Sequence, residues 1–149
     1  MARLEYRLND ESQTYPVLYY YDFIDKDEVS LRFACDYWIK NKRVYERTAN
    51  QVNGSKYVIY VREATEEHVL DQTEEDRYWG GICVELREFR EGTDQYPVVH
   101  RYELHDDDDV LLLLQSDSLM LQGTVWARTS TEIDEDRKVY VYYAVPEQG

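Results

Sequence analysis

The clearest pattern in the chain is an alternation of apolar and mixed positions that begins at residue 17. Val17, Tyr19, Tyr21 and Phe23 form the more apolar set, and a more polar set lies between them. Successive side chains of a strand point to opposite faces of a sheet, so a period of two predicts a β-strand. We expect the more apolar set to point inward.

The same strand pattern occurs a second time. Residues 15–48 align with residues 96–129 at a constant offset of 81, and 12 of these 34 positions are identical. Self-similarity of this length indicates an internal duplication. With small slips, the match extends to repeat one at 4–63 and repeat two at 84–145, joined by a linker at 64–83. A chain of 149 residues suits one domain, so we expect residues 1–149 to form a single pseudo-twofold domain.

Each repeat predicts five strands joined by tight turns. Turn-forming residues at Asp25–Glu28 and at Asp106–Asp109 predict matching hairpin loops, each followed by a third strand from Val29 or Val110. Asn53-Gly54 is the strongest hairpin signal of the chain, because both residues accept a positive φ. The corresponding turn of repeat two lies at 134–136.

Consecutive hairpins favour a sheet that closes on itself or forms a sandwich. The predicted fold class is therefore all-β, with about ten antiparallel strands. We expect two tandem five-stranded repeats that form one pseudo-twofold barrel or sandwich. Thr65 is a plausible cap for a short helix in the linker, extending to about Gln72.

The charge of the chain narrows its possible partners. Lys and Arg number 17 against 31 Asp and Glu, which gives a formal net charge of −14. Such a chain repels nucleic acids and anionic lipids and attracts basic proteins, although a surface selected for solubility explains the same charge. The 15 tyrosines also suit an interface. The leading hypothesis is a non-enzymatic protein-binding module, such as an inhibitor or immunity protein for a basic partner.

The apolar segments and the cysteines of the sequence indicate where in the cell we expect the protein. The N-terminus has no signal-like segment, and the longest apolar run, Val110–Leu114, is far too short to span a bilayer. Cys35 and Cys83 fit a reducing environment better than a disulfide scaffold. We expect a cytoplasmic protein that binds neither membranes nor nucleic acids.

Catalytic and metal-binding motifs are not found in the sequence. The two acidic loops offer oxygen ligands of the kind calcium takes, but their spacing is not that of an EF-hand, and solvated hairpin tips explain them. His68, His100 and His105 complete no zinc set. No nucleophile elbow or phosphate loop is present. The sequence therefore predicts no metal, no cofactor and no catalytic residues, and it favours a non-enzymatic role without deciding that question.

Two sets of residues are candidates for ligand binding. Inward Tyr19, Tyr21, His100 and Tyr102 would line the interior of a closed barrel, so a small-molecule-binding β-barrel is an alternative function. Arg47 and Arg128 occupy matching positions beside aromatic residues. They predict either structural ion pairs or an anion site.

Positions that differ between the repeats are candidates for an interface. Lys40, Lys42 and Arg43 form the densest basic cluster of the chain, and none of them is basic in repeat two. Leu111 and Leu113 make the third strand of repeat two apolar on both faces. Such a strand must be covered on both sides by the linker, the other repeat or a second subunit. A subunit of a homo-oligomeric assembly is therefore a further alternative.

Overall fold

The computed structural model describes residues 2–65, 67, 69 and 80–147. This part of the chain contains β1 (Ala2–Leu8), β2 (Val17–Ile24), α1 (Lys26–Phe33), β3 (Tyr37–Lys40), β4 (Arg43–Asn53), β5 (Lys56–Glu63), β6 (Ile82–Glu88), β7 (Val98–Leu104), α2 (Asp107–Gln115), β8 (Ser118–Leu121), β9 (Thr124–Asp134) and β10 (Val139–Pro146). The order strand, strand, helix, strand, strand, strand therefore occurs twice. The linker helix predicted from Thr65 to about Gln72 lies for the most part outside the described residues.

All ten described strands belong to one mixed sheet. Its order is β2-β1-β5-β4-β3-β9-β10-β6-β7, and β8 pairs with β9 beside this path. The β1–β5, β3–β9 and β6–β10 pairs are parallel, whereas the other pairs are antiparallel. The all-β class is confirmed, but the prediction that every pair is antiparallel is wrong. The sheet is also open, with β2 and β7 at its edges, and does not close into a barrel.

Two helices replace the predicted hairpin loops and third strands. Asp25 and Asp106 are the N-cap residues, and the acidic residues that follow them lie in the first helical turns. Carboxylates are favourable there because the helix dipole is positive at its N-terminus. The same residues are good turn formers, so their sequence does not distinguish a hairpin loop from a helix start. Each helix interrupts the expected series of hairpins, and this permits the parallel strand pairs.

Helix α2 also explains the doubly apolar run of repeat two. Val110 and Leu114 are fully buried at a spacing of one helical turn, and Leu112 on the opposite side is 66% exposed. Leu111 and Leu113 are partly buried and pack against the main core. In a helix, Leu111 and Leu113 flank the buried side formed by Val110 and Leu114. The apolar segment therefore does not need to be covered on two opposite faces, as it would in a strand.

The main core lies between the two helices and one face of the sheet. The helices contact each other, and buried side chains from β1, β5, β6 and β10 fill the space beneath them. The predicted Asn53-Gly54 hairpin is confirmed, with Asn53 opposite Lys56 and a positive φ of 63° at Gly54. Neither helix of the described residues has the length and apolarity needed to cross a membrane.

Candidate functional site: an acidic surface at two helix starts

The two helices begin beside each other. Their N-caps and first turns contribute Asp25, Asp27, Glu28, Asp106, Asp107, Asp108 and Asp109, which we call the acidic surface. Burial raises the pKa of Asp107, and the charges of Asp27, Asp106, Asp25 and Glu28 raise it further. Carboxylates of one helix therefore act electrostatically on those of the other, so both helix starts form one negative region.

The capping geometry fixes this region. The Asp106 carboxylate accepts a hydrogen bond from the backbone N–H of Asp108 at 2.9 Å, so it satisfies one of the free donors at the helix start. Asp108 and Asp109 remain exposed. Leu112 lies one helical turn further along, and Phe23, just before Asp25, is 81% exposed. The acidic surface therefore borders two exposed apolar side chains.

The predicted ligand-lining residues lie on the two edge strands. These four residues lie opposite core residues of the adjacent strands, so their side chains are on the helix-covered face of the sheet. They are Tyr19 and Tyr21 of β2 and His100 and Tyr102 of β7. Tyr21 and Tyr102 pack against the core, whereas Tyr19 and His100 are exposed. Because β2 and β7 stand at opposite ends of the strand order, the expected barrel interior does not form around them.

Arg47 and Arg128 make similar contacts near the C-terminal ends of the two helices. Arg47 Nε donates to the carbonyl of Cys35 at 3.0 Å, just after α1. Arg128 Nη1 donates to the carbonyl of Leu114 at 2.9 Å, in the last turn of α2. Both also pair with an aspartate, at 3.4 Å for Asp36 and 3.5 Å for Asp117. A backbone carbonyl and an aspartate of the same half therefore engage each guanidinium group, which favours the structural ion pairs over an anion site.

Two of the three predicted basic interface residues contact the other half of the same chain, Lys40 through its side chain and Lys42 through its backbone. Lys40 Nζ lies 3.1 Å from Glu135 Oε2. The backbone N–H of Lys42 donates to an Asp136 carboxylate oxygen at 2.7 Å, whereas the side chain of Arg43 is exposed. The turn between β9 and β10 thus holds the turn between β3 and β4. These contacts join the two halves within one molecule.

Glu135 occupies a polar pocket in the first half. Arg32 and the Tyr21 hydroxyl donate to its carboxylate, and Trp38 Nε1 donates to Oε1 at 3.1 Å. Burial alone would raise the pKa of Glu135, but the charge of Arg32 and the hydrogen bonds lower it below its ordinary value. This carboxylate is fully engaged by its neighbours, so we assign it a structural role.

Sequence reasoning missed a second charged network, on the other face of the sheet. Glu85 is fully buried and accepts hydrogen bonds from Arg137 at 2.8 Å and from Arg87 at 2.9 Å. Arg101 lies 3.1 Å from Glu85. Despite burial, these arginines lower the pKa of Glu85. A signal was available, because the first half has the same Glu-x-Arg spacing at Glu5 and Arg7.

The acidic side chains of the described ranges form no cluster of three or more ligands suited to a metal ion. Comparison with protein-family models, with curated proteins and with solved structures finds no match to this chain.

Proposed function

We propose that the chain is a non-enzymatic protein-binding module for a basic protein, such as an inhibitor or immunity protein. The observation that carries this proposal is the convergence of two acidic helix starts. Burial raises the pKa of Asp107, and the neighbouring carboxylates of both helix starts raise it further because like charges repel. A partner with clustered Lys and Arg side chains relieves that repulsion on binding, and the negative surface accelerates encounter with such a partner.

Exposed apolar side chains beside the acidic surface support the same proposal. Protein interfaces combine a few large apolar contacts with a polar rim. Phe23 and Leu112 supply apolar contacts at the border of the acidic surface. We also propose a cytoplasmic location, which two buried free thiols, Cys35 and Cys83, support.

The test compares two variants of equal net charge. In the first, Asp27, Asp107, Asp108 and Asp109 are changed to Asn; in the second, the exposed Glu63, Glu91, Glu103 and Glu147 are changed to Gln. Both are titrated with a lysine- and arginine-rich peptide and with a basic protein at about 50 mM and about 300 mM salt. We expect the first variant to lose about tenfold in affinity at low salt and the second to lose less than about threefold.

Equal losses of affinity in the two variants would show that net charge alone explains the binding, and would overturn the proposed surface. Affinity that is independent of salt would contradict its electrostatic basis.

Self-association is a second candidate, favoured by the edge strand β2. This strand carries a single charged residue, Asp22, and exposes Leu18, Tyr20 and Phe23. Natural edge strands are usually protected by charges, because an open edge pairs readily with another strand. Light scattering of the wild type and of a Tyr20→Lys variant tests pairing of β2 between copies. A wild-type monomer at all concentrations would remove this candidate.

We also infer that the chain arose by internal duplication, with a pseudo-twofold relation between its halves. Matching contacts support this origin beyond the matching residues. Arg7 Nη1 donates to the carbonyl of Tyr15 at 2.9 Å, and Arg87 Nη1 donates to that of Tyr96 at 2.7 Å. The ion pairs Arg47–Asp36 and Arg128–Asp117 also lie at matching positions of the two halves.

A further inference from the structure

A buried carboxylate lies at the floor of a small cavity, on the sheet face opposite the helices. Glu132 of β9 is 3% exposed and stands between Tyr37 of the parallel strand β3 and Val141 of β10. The Tyr143 hydroxyl donates a hydrogen bond to its Oε2 at 3.1 Å. No salt bridge to Glu132 is found among the described residues. We call this space the Glu132 cavity.

Aromatic rings form the walls of the Glu132 cavity. Phe89 and Tyr96 stack with centroids 5.5 Å apart and an interplanar angle of 13°. Tyr96 meets Tyr143 edge to face, also at 5.5 Å. Tyr37 contributes a further ring to the lining. The cavity therefore presents several π-systems around one carboxylate, which is the arrangement that recognises ammonium groups.

Negative groups dominate the surroundings of the cavity. Burial raises the pKa of Tyr96, and so do the charges of Glu67, Asp94 and Glu132. Burial also raises the pKa of Tyr37 to about 12, together with the charges of Glu67, Glu46 and Asp36. Among the described residues, the cations that act on Glu132 are Arg87 and Arg137, and their side chains are bound to Glu85 and Asp134. A cation entering the cavity would therefore meet negative groups whose charge Arg87 and Arg137 offset only in part.

The size of the cavity limits the ligand to a small group. Its volume is about 180 Å³. That is the space of about six water molecules and is below the ~300 Å³ at which sites for drug-sized molecules begin. A single substituted ammonium head group, or the end of a lysine side chain, matches this volume.

We propose that the Glu132 cavity binds an alkylammonium cation, with the aromatic rings against the ammonium group and the Glu132 carboxylate as its counter-ion. The cation belongs either to a free small amine or to a lysine side chain of a partner. The proposal rests on the cavity alone and is independent of the acidic surface at the helix starts.

Binding is expected to depend on pH through Glu132. Burial raises the pKa of this carboxyl to about 8, and the charge of Asp134 adds to the effect, while the Tyr143 hydroxyl, Arg137 and Arg87 oppose it. Tyr37, Tyr96 and Glu67 are the other titratable groups of the lining. Below this pKa the carboxyl must release a proton before it can pair with a cation. Affinity should therefore increase from about pH 6 to about pH 8.5, by up to about tenfold per unit.

The experiment titrates the whole protein with tetramethylammonium, with n-butylammonium and with a short lysine-containing peptide, followed by amide NMR shifts. Sodium chloride at equal ionic strength is the reference. We expect dissociation constants near about 1 mM at about pH 8.5. Glu132→Gln and Tyr96→Ala should each weaken binding by about tenfold, while Glu63→Gln and Tyr60→Ala, outside the cavity, should not change it.

The outcomes separate the possible sources of the cation. Binding of the small amines without the peptide indicates a free ligand, and binding of the peptide as well indicates a partner side chain. Saturation by none of the three probes, or equal binding by folded Glu132→Gln, would overturn the proposal. The helix-start variants described above should bind the amines normally, so this proposal and the proposed function fail separately.

Discussion

The indole of Trp38 donates a hydrogen bond to the carboxylate of Glu135 at 3.1 Å, and this contact joins the two halves of the chain. Arg32, with its side chain only 6% exposed, pairs with the same carboxylate. Removing Glu135 leaves the guanidinium buried without its main partner. Glu135→Ala should therefore lower the free energy of unfolding by about 3 kcal/mol, measured by urea denaturation.

Glu63→Ala, at an exposed strand end, is the matched control and should change stability by less than about 0.5 kcal/mol. Because the pKa of Glu135 is lowered in the folded state, its contribution is present at neutral pH and is lost as the pH falls below about 4.5. An effect of Glu135→Ala as small as that of Glu63→Ala would contradict the structural role.

Glu132 should have the opposite pH dependence. Burial raises the pKa of Glu132 to about 8 in the folded protein. The unfolded state releases this proton near about pH 4.5, so folding stability falls between that value and pH ~8, by at most about 1.4 kcal/mol per unit. Glu132→Gln removes this loss. We expect the variant to match the wild type near pH ~5 and to exceed it near pH ~8, in urea denaturation at both values. Parallel pH profiles would show that Glu132 is ionised in the folded state.

Arg47 and Arg128 should make similar contributions to stability. Each donates to a carbonyl at the end of a helix, and truncation leaves that carbonyl without its charged donor. Arg47→Ala and Arg128→Ala should each cost about 1–3 kcal/mol in guanidinium chloride unfolding. Arg43→Ala removes an exposed arginine from the start of β4, the strand that carries Arg47, and should cost less than about 0.5 kcal/mol. A large effect of only one of the two substitutions would count against matching roles.

Gly54 should be required for its backbone conformation alone. Its φ is +63°, and a Cβ at this position would meet no atom within 4 Å. Gly54→Ala should lower the free energy of unfolding by about 1 kcal/mol through backbone strain. Gly54→Asn should cost less, because Asn adopts positive φ more readily. Thermal melts of both variants test this order, and equal melting temperatures would argue against strain.

The strands and the 53–54 hairpin could be predicted because their signals are local. Apolar and more polar side chains alternate from Val17 to Phe23, over enough residues to define a strand. Gly54 indicates the turn between β4 and β5 without reference to distant residues. The helices could not be distinguished from strands in the same way. Eight or nine residues fit both periods, and the aspartates that begin a helix also form turns.

The polar pocket of Glu135 and the charged network of Glu85 both depend on contacts between residues that are distant in sequence. Glu85 meets Arg137 across 52 residues, and Glu135 meets Arg32 across 103. A carboxylate within a strand normally indicates a solvent-facing position. Glu132 is likewise a strand carboxylate whose burial depends on distant residues, because it follows from the parallel pairing of β3 with β9. The sequence alone favours antiparallel hairpins, so this pairing and the cavity it forms were missed.

Strand β9 determines whether the two halves of the chain could fold as separate fragments. Its first residues pair with β8, and its last residues pair with β3 from the other half. A first half expressed alone would expose the edge of β3 and lose the partner of Arg32, and the second half would expose the end of β9. Two fragments, 1–69 and 80–149, should therefore be poorly folded when separate and recover native structure when mixed. The halves would then behave as complementary pieces of one folding unit, although each has the same order of elements.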